Sequence, residues 1–300
     1  MSFSKCRYHF FLLICLLSFS RIAIAQYYNF DCLSLTEERK IENITGIFAS
    51  SKSTLLIAAA GELFEYKGNT IESLIAEEEI PFASFQEIQF KENGSFNFLS
   101  NQKLYEHQLD GQIIEIPITQ EILSYQIQGN NYFIGTENGL YHYNPELNLL
   151  DAPFSLERLR GAKINDVLAL ENGWLMVAAS EGLWKWIPDK AELILISGTD
   201  LYTFEELYAD SNGQIWAINQ EGSIFSYHLE SDEFKEKNFG NYTFNAIAED
   251  QYGQIWFSSE NRGIVRFDPE NESWTTIIQE NGLPLNSLLR CISDKWQSIW

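Results

Sequence analysis

The chain has 300 residues, of which 45% are hydrophobic and 14% aromatic, so it can bury a substantial core and is not intrinsically disordered. Its formal net charge of −22 at pH 7 excludes nucleic acid as an expected partner, because phosphates repel an acidic surface. The acidity indicates a solvated, self-repelling surface, since no Asp-rich calcium-binding loop is present. The sequence therefore predicts no metal site and no cofactor.

The first residues predict a secretory signal peptide over residues 1–25. Lys5 and Arg7 give a basic start, residues 10–19 are apolar, and residues 23–25 are the Ala-Ile-Ala of a cleavage site. An apolar run of about ten residues is shorter than the roughly 20 residues that a membrane-spanning helix needs. We therefore expect an exported protein.

After the signal, one pattern recurs: an alternating apolar strand, an Asp/Asn/Gly turn, a strand of type G-x-[IL]-W, a Gly turn, and a strand that ends in an aromatic residue. The clearest copy is AIAEDQYGQIWFSSENRGIVRFDPENESWTTI, residues 246–277. Four short strands in each copy can bury both faces only if the copies stack radially, which predicts a β-propeller with four antiparallel strands per blade. The residue that opens the third strand recurs every 36 to 43 residues, at Leu63, Leu104, Leu140, Leu183, Ile224 and Ile264.

A seventh copy begins at Leu288 and reaches only its second strand at Trp300. Residues 29–35 resemble the fourth strand of a blade, so we expect them to complete the seventh blade and close the ring. The predicted fold is therefore an all-β, seven-bladed β-propeller over residues 26–300, with the last blade incomplete at the C-terminus. In that blade Cys32 and Cys291 would lie about 14 Å apart, beyond the roughly 7 Å limit of a disulfide, which predicts two free thiols.

The residues that recur predict packing and turns rather than chemistry. Trp216 and Trp256 are replaced by other bulky residues in most copies, as expected of core positions. Asp210 and Asp250 close the first strand, where a carboxylate can accept the backbone N–H groups of a turn. A catalytic carboxylate pair is the alternative interpretation, but the repetition favours turns, and no catalytic residue is predicted.

Ligand recognition is expected among residues that do not repeat. In a propeller, the turns between second and third strands and the connections between blades share one face, the usual binding face. Aromatic, Arg, Asn and Glu side chains there suit a polar ligand through stacking and bidentate hydrogen bonds, although solvated loops are the simpler interpretation of each residue. The candidates are Arg158, Arg160, Glu181, Tyr202, Tyr242, Asn261 and Arg262.

Three segments resemble the two-component regulator propeller repeat: EDQYGQIWFSSENRGIVRFDPENESW, ADSNGQIWAINQEGSIFSYHLE and the connector ENGLPLNSLLRCISD. The match is poorer in the first two copies, where Asn97 stands in place of the Trp. The resemblance implies the periplasmic sensor region of a Bacteroidota hybrid two-component regulator or sensor histidine kinase. It also implies a position at the periplasmic face of the inner membrane, with contact to the membrane only through a segment beyond residue 300.

The function implied by this resemblance is extracytoplasmic sensing of a glycan or another polar small molecule for a phosphorelay. A homodimer would let a bound ligand shift the packing of two protomers. One alternative is a non-signalling propeller scaffold or surface binding protein. A glycan-cleaving propeller enzyme is a further alternative, but it needs convergent arginines and an acid and nucleophile pair, and no such set stands out.

Overall fold

The chain folds into four-stranded antiparallel sheets that follow one another along the sequence, as blades 1 to 6. The computed structural model describes residues 44–50, 54–67, 70–151, 154–260, 262–283, 290–293 and 298–299. In every sheet the hydrogen-bonded neighbours are consecutive strands, so each blade is a simple meander. Among these residues, none of the helices has the length and apolarity to cross a bilayer.

The strands of each blade are numbered in chain order. Blades 1 to 3 contain β1 (Ile44–Ala49), β2 (Leu55–Ala59), β3 (Glu62–Tyr66), β4 (Ile71–Ile75), β5 (Phe85–Phe90), β6 (Phe96–Ser100), β7 (Lys103–His107), β8 (Ile113–Glu115), β9 (Ile122–Gln128), β10 (Asn131–Thr136), β11 (Gly139–Asn144) and β12 (Leu149–Asp151). Blades 4 to 6 contain β13 (Ile164–Ala169), β14 (Leu175–Ala179), β15 (Gly182–Ile187), β16 (Glu192–Leu195), β17 (Phe204–Ala209), β18 (Gln214–Asn219), β19 (Ile224–His228), β20 (Glu233–Lys237), β21 (Phe244–Glu249), β22 (Ile255–Ser259), β23 (Gly263–Asp268) and β24 (Ser273–Ile277). Short 3-10 helices span Phe154–Leu159, Pro188–Lys190 and Gln279–Asn281.

Burial falls from the second strand of each blade to the fourth. Every residue of β2, β6, β14 and β22 is buried, because each of these strands lies between two strands of its own sheet and packs against a neighbouring blade. The outermost strands β20 and β24 are mostly exposed and carry charged or hydroxyl side chains. The third-strand residues that set the predicted repeat are all buried, which confirms the register: Leu63, Leu104, Leu140, Leu183, Ile224 and Ile264.

Neighbouring blades are joined by aromatic side chains. The Trp216 ring of blade 5 lies 5.5 Å, centroid to centroid, from both Phe257 and Phe267 of blade 6, in edge-to-face contacts. The predicted core role of Trp216 and Trp256 is confirmed, since they are 2% and 8% exposed.

The turn before the third strand needs glycine where the next connection passes close to it. Gly222 has φ +75°, and a Cβ placed there would lie 2.7 Å from the Cα of Thr243. Gly263 has φ +80°, and a Cβ there would collide with the carbonyl oxygen of Ile277. Both backbone conformation and space therefore exclude a side chain at these positions.

The prediction of seven blades is wrong: the described residues form six. The prediction counted the copy that begins at Leu288 together with residues 29–35 as one more blade. In the described part of that copy, Ser293 and Ile299 form an isolated antiparallel bridge, which is not a sheet. Residues 29–35 and Cys32 lie outside the described residues, so the distance between the two cysteines stays a prediction; Cys291 is a buried free thiol.

Candidate functional site

The first strand of every blade faces a central channel and carries a β-bulge at its start. In all six blades the pairing with the second strand skips one residue after the first pair. Because a bulge re-aims the side chain that follows it, one residue per blade is singled out. These residues are Gly46, Glu87, Ser124, Asp166, Glu206 and Ala246.

Each of the three carboxylates at this position accepts a hydrogen bond from the next blade. The backbone N–H of Tyr125 donates to Glu87 over 3.2 Å, and that of Leu207 donates to Asp166 over 2.8 Å. The backbone N–H of Ile247 donates to Glu206 over 3.4 Å. Each hydrogen bond joins a carboxyl oxygen of one blade to the backbone of the next, so these contacts fasten neighbouring blades at the channel wall.

The channel changes the acidity of these groups. Burial, followed by repulsion from Asp166, raises the pKa of Glu87 to about 8. Burial raises the pKa of Glu206 to about 7 and that of Asp166 to about 6. The Arg290 guanidinium opposes the rise in pKa of all three carboxyls. The three side chains are half-buried, so protons from the channel solvent can reach them.

A cavity of about 320 Å³ occupies part of this channel. It is lined by β1, β5, β17, β21 and residues 290–293, which include Glu87, Glu206, Tyr208 and Arg290. Arg290 Nη1 also donates to the backbone carbonyl of Gln86 over 3.4 Å. In the described part of the chain, no three His, Cys, Asp or Glu side chains form a group that could hold a metal ion. The cavity therefore places two carboxyls with raised pKa values, Glu87 and Glu206, beside the Arg290 guanidinium.

The structure places two of the sequence-predicted candidates on the connection between blades 3 and 4. Arg158 lies in the 3-10 helix Phe154–Leu159, with its guanidinium carbon 5.0 Å from the ring centroid of Trp184. Arg160 is exposed and forms a 3.5 Å ion pair with Glu157. Both guanidinium groups thus lie at the surface of one connection.

Two further candidates lie together between blades 5 and 6. The guanidinium carbon of Arg262 is 5.8 Å from the ring centroid of Tyr242, and that ring also stacks on Phe244 at 5.4 Å. The Tyr242 hydroxyl lies 3.2 Å from Thr276 Oγ1. Tyr242 therefore packs against blade 6, and the exposed Arg262 side chain lies over its ring.

The remaining candidates are separate from these pairs. Tyr202 is half-buried and packs on Phe204 and Phe225, with ring centroids 6.0 and 4.8 Å away. Glu181 is exposed at the turn between β14 and β15. Asn261 lies outside the described residues.

The channel carboxylates were missed by the sequence reasoning, although the sequence contains a signal for them. Glu87, Asp166 and Glu206 each stand two residues after the apolar residue that opens a first strand, in Phe-Gln-Glu, Ile-Asn-Asp and Phe-Glu-Glu. An acidic residue at one fixed point of an otherwise apolar inner strand indicates a buried carboxylate at one level of the channel.

The comparisons with known proteins agree on the repeat and the fold. A family model described as "Two component regulator propeller" matches residues 238–261. No curated protein matches the chain. The extracellular domain of BT4673 from B. thetaiotaomicron, provisionally named a one component system, matches with a TM-score of 0.73 and 19% identity, over 92% of this chain and 39% of that one.

Two other solved structures share the fold at low identity. Virginiamycin B lyase from Staphylococcus aureus matches with a TM-score of 0.70 and 14% identity, over 89% of this chain and 93% of the lyase. The extracellular domain of BT3049 from B. thetaiotaomicron, provisionally named a hybrid two component system, matches with a TM-score of 0.67 and 15% identity, over 87% and 38% of the two chains. The chain thus spans about two-fifths of the length of the two B. thetaiotaomicron chains.

The matched segment, residues 238–261, overlaps the clearest copy found in the sequence, residues 246–277, which confirms the resemblance inferred from that copy. The chain is therefore a β-propeller that contains a two component regulator propeller repeat at residues 238–261.

Proposed function

We propose that this chain is the ligand-sensing propeller of an exported signalling protein. The observation that carries the proposal is the combination of a two component regulator propeller repeat with a fold that matches the extracellular domain of BT4673 over 92% of the chain. The basic, apolar and small-residue segments of residues 1–25 support export.

The proposed ligand is a glycan or another polar small molecule, bound on the face of the blade connections. Its support is chemical: Arg158 and Arg262 present exposed guanidinium groups next to the aromatic rings of Trp184 and Tyr242. A guanidinium can donate paired hydrogen bonds to vicinal hydroxyl or carboxylate oxygens. Arg160, Glu181 and Tyr202 complete the proposed face, and Asn261 stays a candidate outside the described residues.

The ligand acts by shifting an equilibrium between two packings of the propeller, in one protomer or across a homodimer. Such a shift requires that the ligand binds one packing more tightly than the other. The channel hydrogen bonds of Glu87, Asp166 and Glu206 are the contacts between blades that such a change would alter, because each joins two blades.

Calorimetric titration of the full chain with a panel of neutral and acidic oligosaccharides tests the proposal. We expect saturable binding by at least one glycan, weakened at least tenfold by Arg262→Ala or Arg158→Ala. The control is Lys190→Ala, at an exposed position between β15 and β16 on the opposite face. Sequencing of the gene beyond codon 300 tests the sensor role: a spanning helix followed by kinase motifs supports it. Absence of binding by every glycan contradicts the proposed ligand, and a stop codon contradicts the sensor role.

A further inference from the structure

A cleft between blades 5 and 6 opens on the face opposite to the blade connections. Two adjoining cavities of about 190 and 290 Å³ form it, and part of their lining comes from the first turn of blade 5 and the third turn of blade 6. We call it the blade 5–6 cleft. Each of the two cavities is smaller than the roughly 300–1,000 Å³ pockets that hold drug-sized ligands, so each suits a smaller molecule. Five lining residues are common to both cavities: Gln214, Ser226, His228, Lys237 and Glu272.

The cleft exists because blade 5 has a small residue at a position that is filled in the other blades. Ser226 pairs across the sheet with Trp216, the core residue of the second strand. The equivalent residue in every other blade is long and polar: Glu65, Glu106, His142, Lys185 and Arg266.

In those blades the long side chain finds a partner within the protein. Glu106 forms a 2.8 Å ion pair with Lys91, and Lys185 Nζ donates a 2.7 Å hydrogen bond to the Tyr227 hydroxyl. His142 lies 2.9 Å from Asn131 Oδ1. A serine cannot reach such partners, so the space that these side chains occupy is left open in blade 5.

Polar groups without a partner line this open space. Ser226 is only 6% exposed, and within the described part of the chain its hydroxyl makes no hydrogen bond. The Gln214 amide and His228 Nε2 also lack a partner there, since His228 uses Nδ1 to accept the N–H of Ser231 over 3.2 Å. These polar groups line the cavity and are available to bond to a ligand that enters it.

These groups converge because of the strand register. Gln214 pairs with His228, and two residues further along Trp216 pairs with Ser226. Residues at such positions share one face of a sheet. Their side chains therefore project together from blade 5 toward blade 6.

Charges of both signs stand on the two walls of the cleft. Lys237 Nζ of blade 5 lies 3.7 Å from a carboxylate oxygen of Glu272 in blade 6. The rings of Trp216 and Phe267 are 2% and 4% exposed, so neither offers an open face on which a sugar could stack. The net charge of −22 disfavours a polyanion. A ligand that carries one positive and one negative group fits this pattern.

We propose that the blade 5–6 cleft binds a small zwitterion of the α-amino acid class. The ligand carboxylate contacts Lys237, and its ammonium contacts Glu272. Ser226, Gln214 and His228 bond to a polar group on the ligand's side chain. This site is separate from the face proposed for glycans and does not depend on the sensor role.

Calorimetric titration of the purified full chain with each of the twenty standard amino acids, and with glucose, tests the proposal. We expect saturable binding of at least one amino acid and none of glucose. Ser226→Glu restores the residue type found at this position in blades 1 and 2, so it should fill the cleft and weaken binding at least tenfold. Ser197→Glu, at an exposed position between blades 4 and 5, adds the same charge away from the cleft and should leave binding unchanged.

Lys237→Met is the second variant, because it removes the ammonium and keeps an apolar stem beside Phe267. It should also weaken binding at least tenfold, and it decides the question should Ser226→Glu fail to fold by circular dichroism. The proposal is overturned if no amino acid binds, whether or not glucose does. It is also overturned if binding is unchanged in a folded Ser226→Glu variant or in Lys237→Met.

Discussion

The indole Nε1 of Trp256 donates a 2.8 Å hydrogen bond to Oδ2 of Asp250, the residue that closes the first strand of the same blade. The other carboxylate oxygen, Oδ1, accepts the backbone N–H groups of Tyr252 and Gln254. One aspartate thus holds the turn and fixes a core tryptophan. Asp210 and Trp216 repeat the arrangement in blade 5 over 2.9 Å.

Replacement of Asp250 by Ala should lower the free energy of unfolding by about 1–3 kcal/mol, because the buried indole N–H and two turn N–H groups lose their acceptor. Urea denaturation followed by tryptophan fluorescence measures the change. Asp250→Asn is the control: it keeps one carbonyl acceptor and should lose less. An Ala variant as stable as the parent chain would show that the carboxylate does not support the turn.

The stability of the propeller should fall as the pH rises from about 5 to 8. Burial raises the pKa of Glu87, Glu206 and Asp166 in the folded chain, to about 8, 7 and 6. A carboxyl with a raised folded pKa stabilises the fold at acid pH, and this contribution is lost as the pH passes the folded value. Urea midpoints measured between pH 5 and 8 check the trend.

The matched control for this trend is the triple variant Glu87→Gln, Asp166→Asn and Glu206→Gln, whose urea midpoint should depend much less on pH. His107 acts in the opposite direction, since burial lowers its pKa and its contribution is lost as the pH falls. A midpoint that rises steadily from pH 5 to 8 in the parent chain would contradict the assigned acidity of the channel.

Removal of the channel guanidinium should make the decline with pH steeper. Arg290 lowers the pKa of all three carboxyls, so Arg290→Gln lets each value rise further above that of the unfolded chain. The comparison variant is Arg160→Gln, which removes one exposed guanidinium outside the channel. Equal pH slopes of the urea midpoint for the two variants would place Arg290 outside the electrostatics of the channel.

Gly222→Ala should destabilise the chain far more than Gly213→Ala. The two glycines have nearly the same φ, +75° and +77°, so alanine pays the same backbone strain at both. A Cβ at Gly213 meets no atom within 4 Å, whereas one at Gly222 lies 2.7 Å from the Cα of Thr243. We expect a loss of about 1 kcal/mol at Gly213 and roughly 3 kcal/mol or more at Gly222, measured by thermal unfolding.

The strand order and the register of each blade could be predicted from the sequence, because apolar alternation and glycine turns are local signals that recur in every copy. The blade count could not, because a partial copy such as residues 288–300 gives the same local signal whether or not it forms a sheet. For the candidate site, residue type identified exposed arginines such as Arg262 but could not show that Tyr242 packs on Phe244. The hydrogen bond of Asp166 to the N–H of Leu207 joins residues 41 positions apart, a relationship that exists only after the blades stack.

The contrast between Ser226 and its counterparts has a consequence for how such proteins diversify. Each blade packs chiefly on the blades next to it, so an altered residue at this position disturbs one interface between two blades and leaves the other interfaces intact. Arg266 and Lys185 close the equivalent space in the adjacent blades, and a change of a single codon from such a residue to serine opens a chamber without rebuilding the backbone. A new binding site can therefore evolve in this fold at one interface between two blades, while the remaining repeats preserve the architecture.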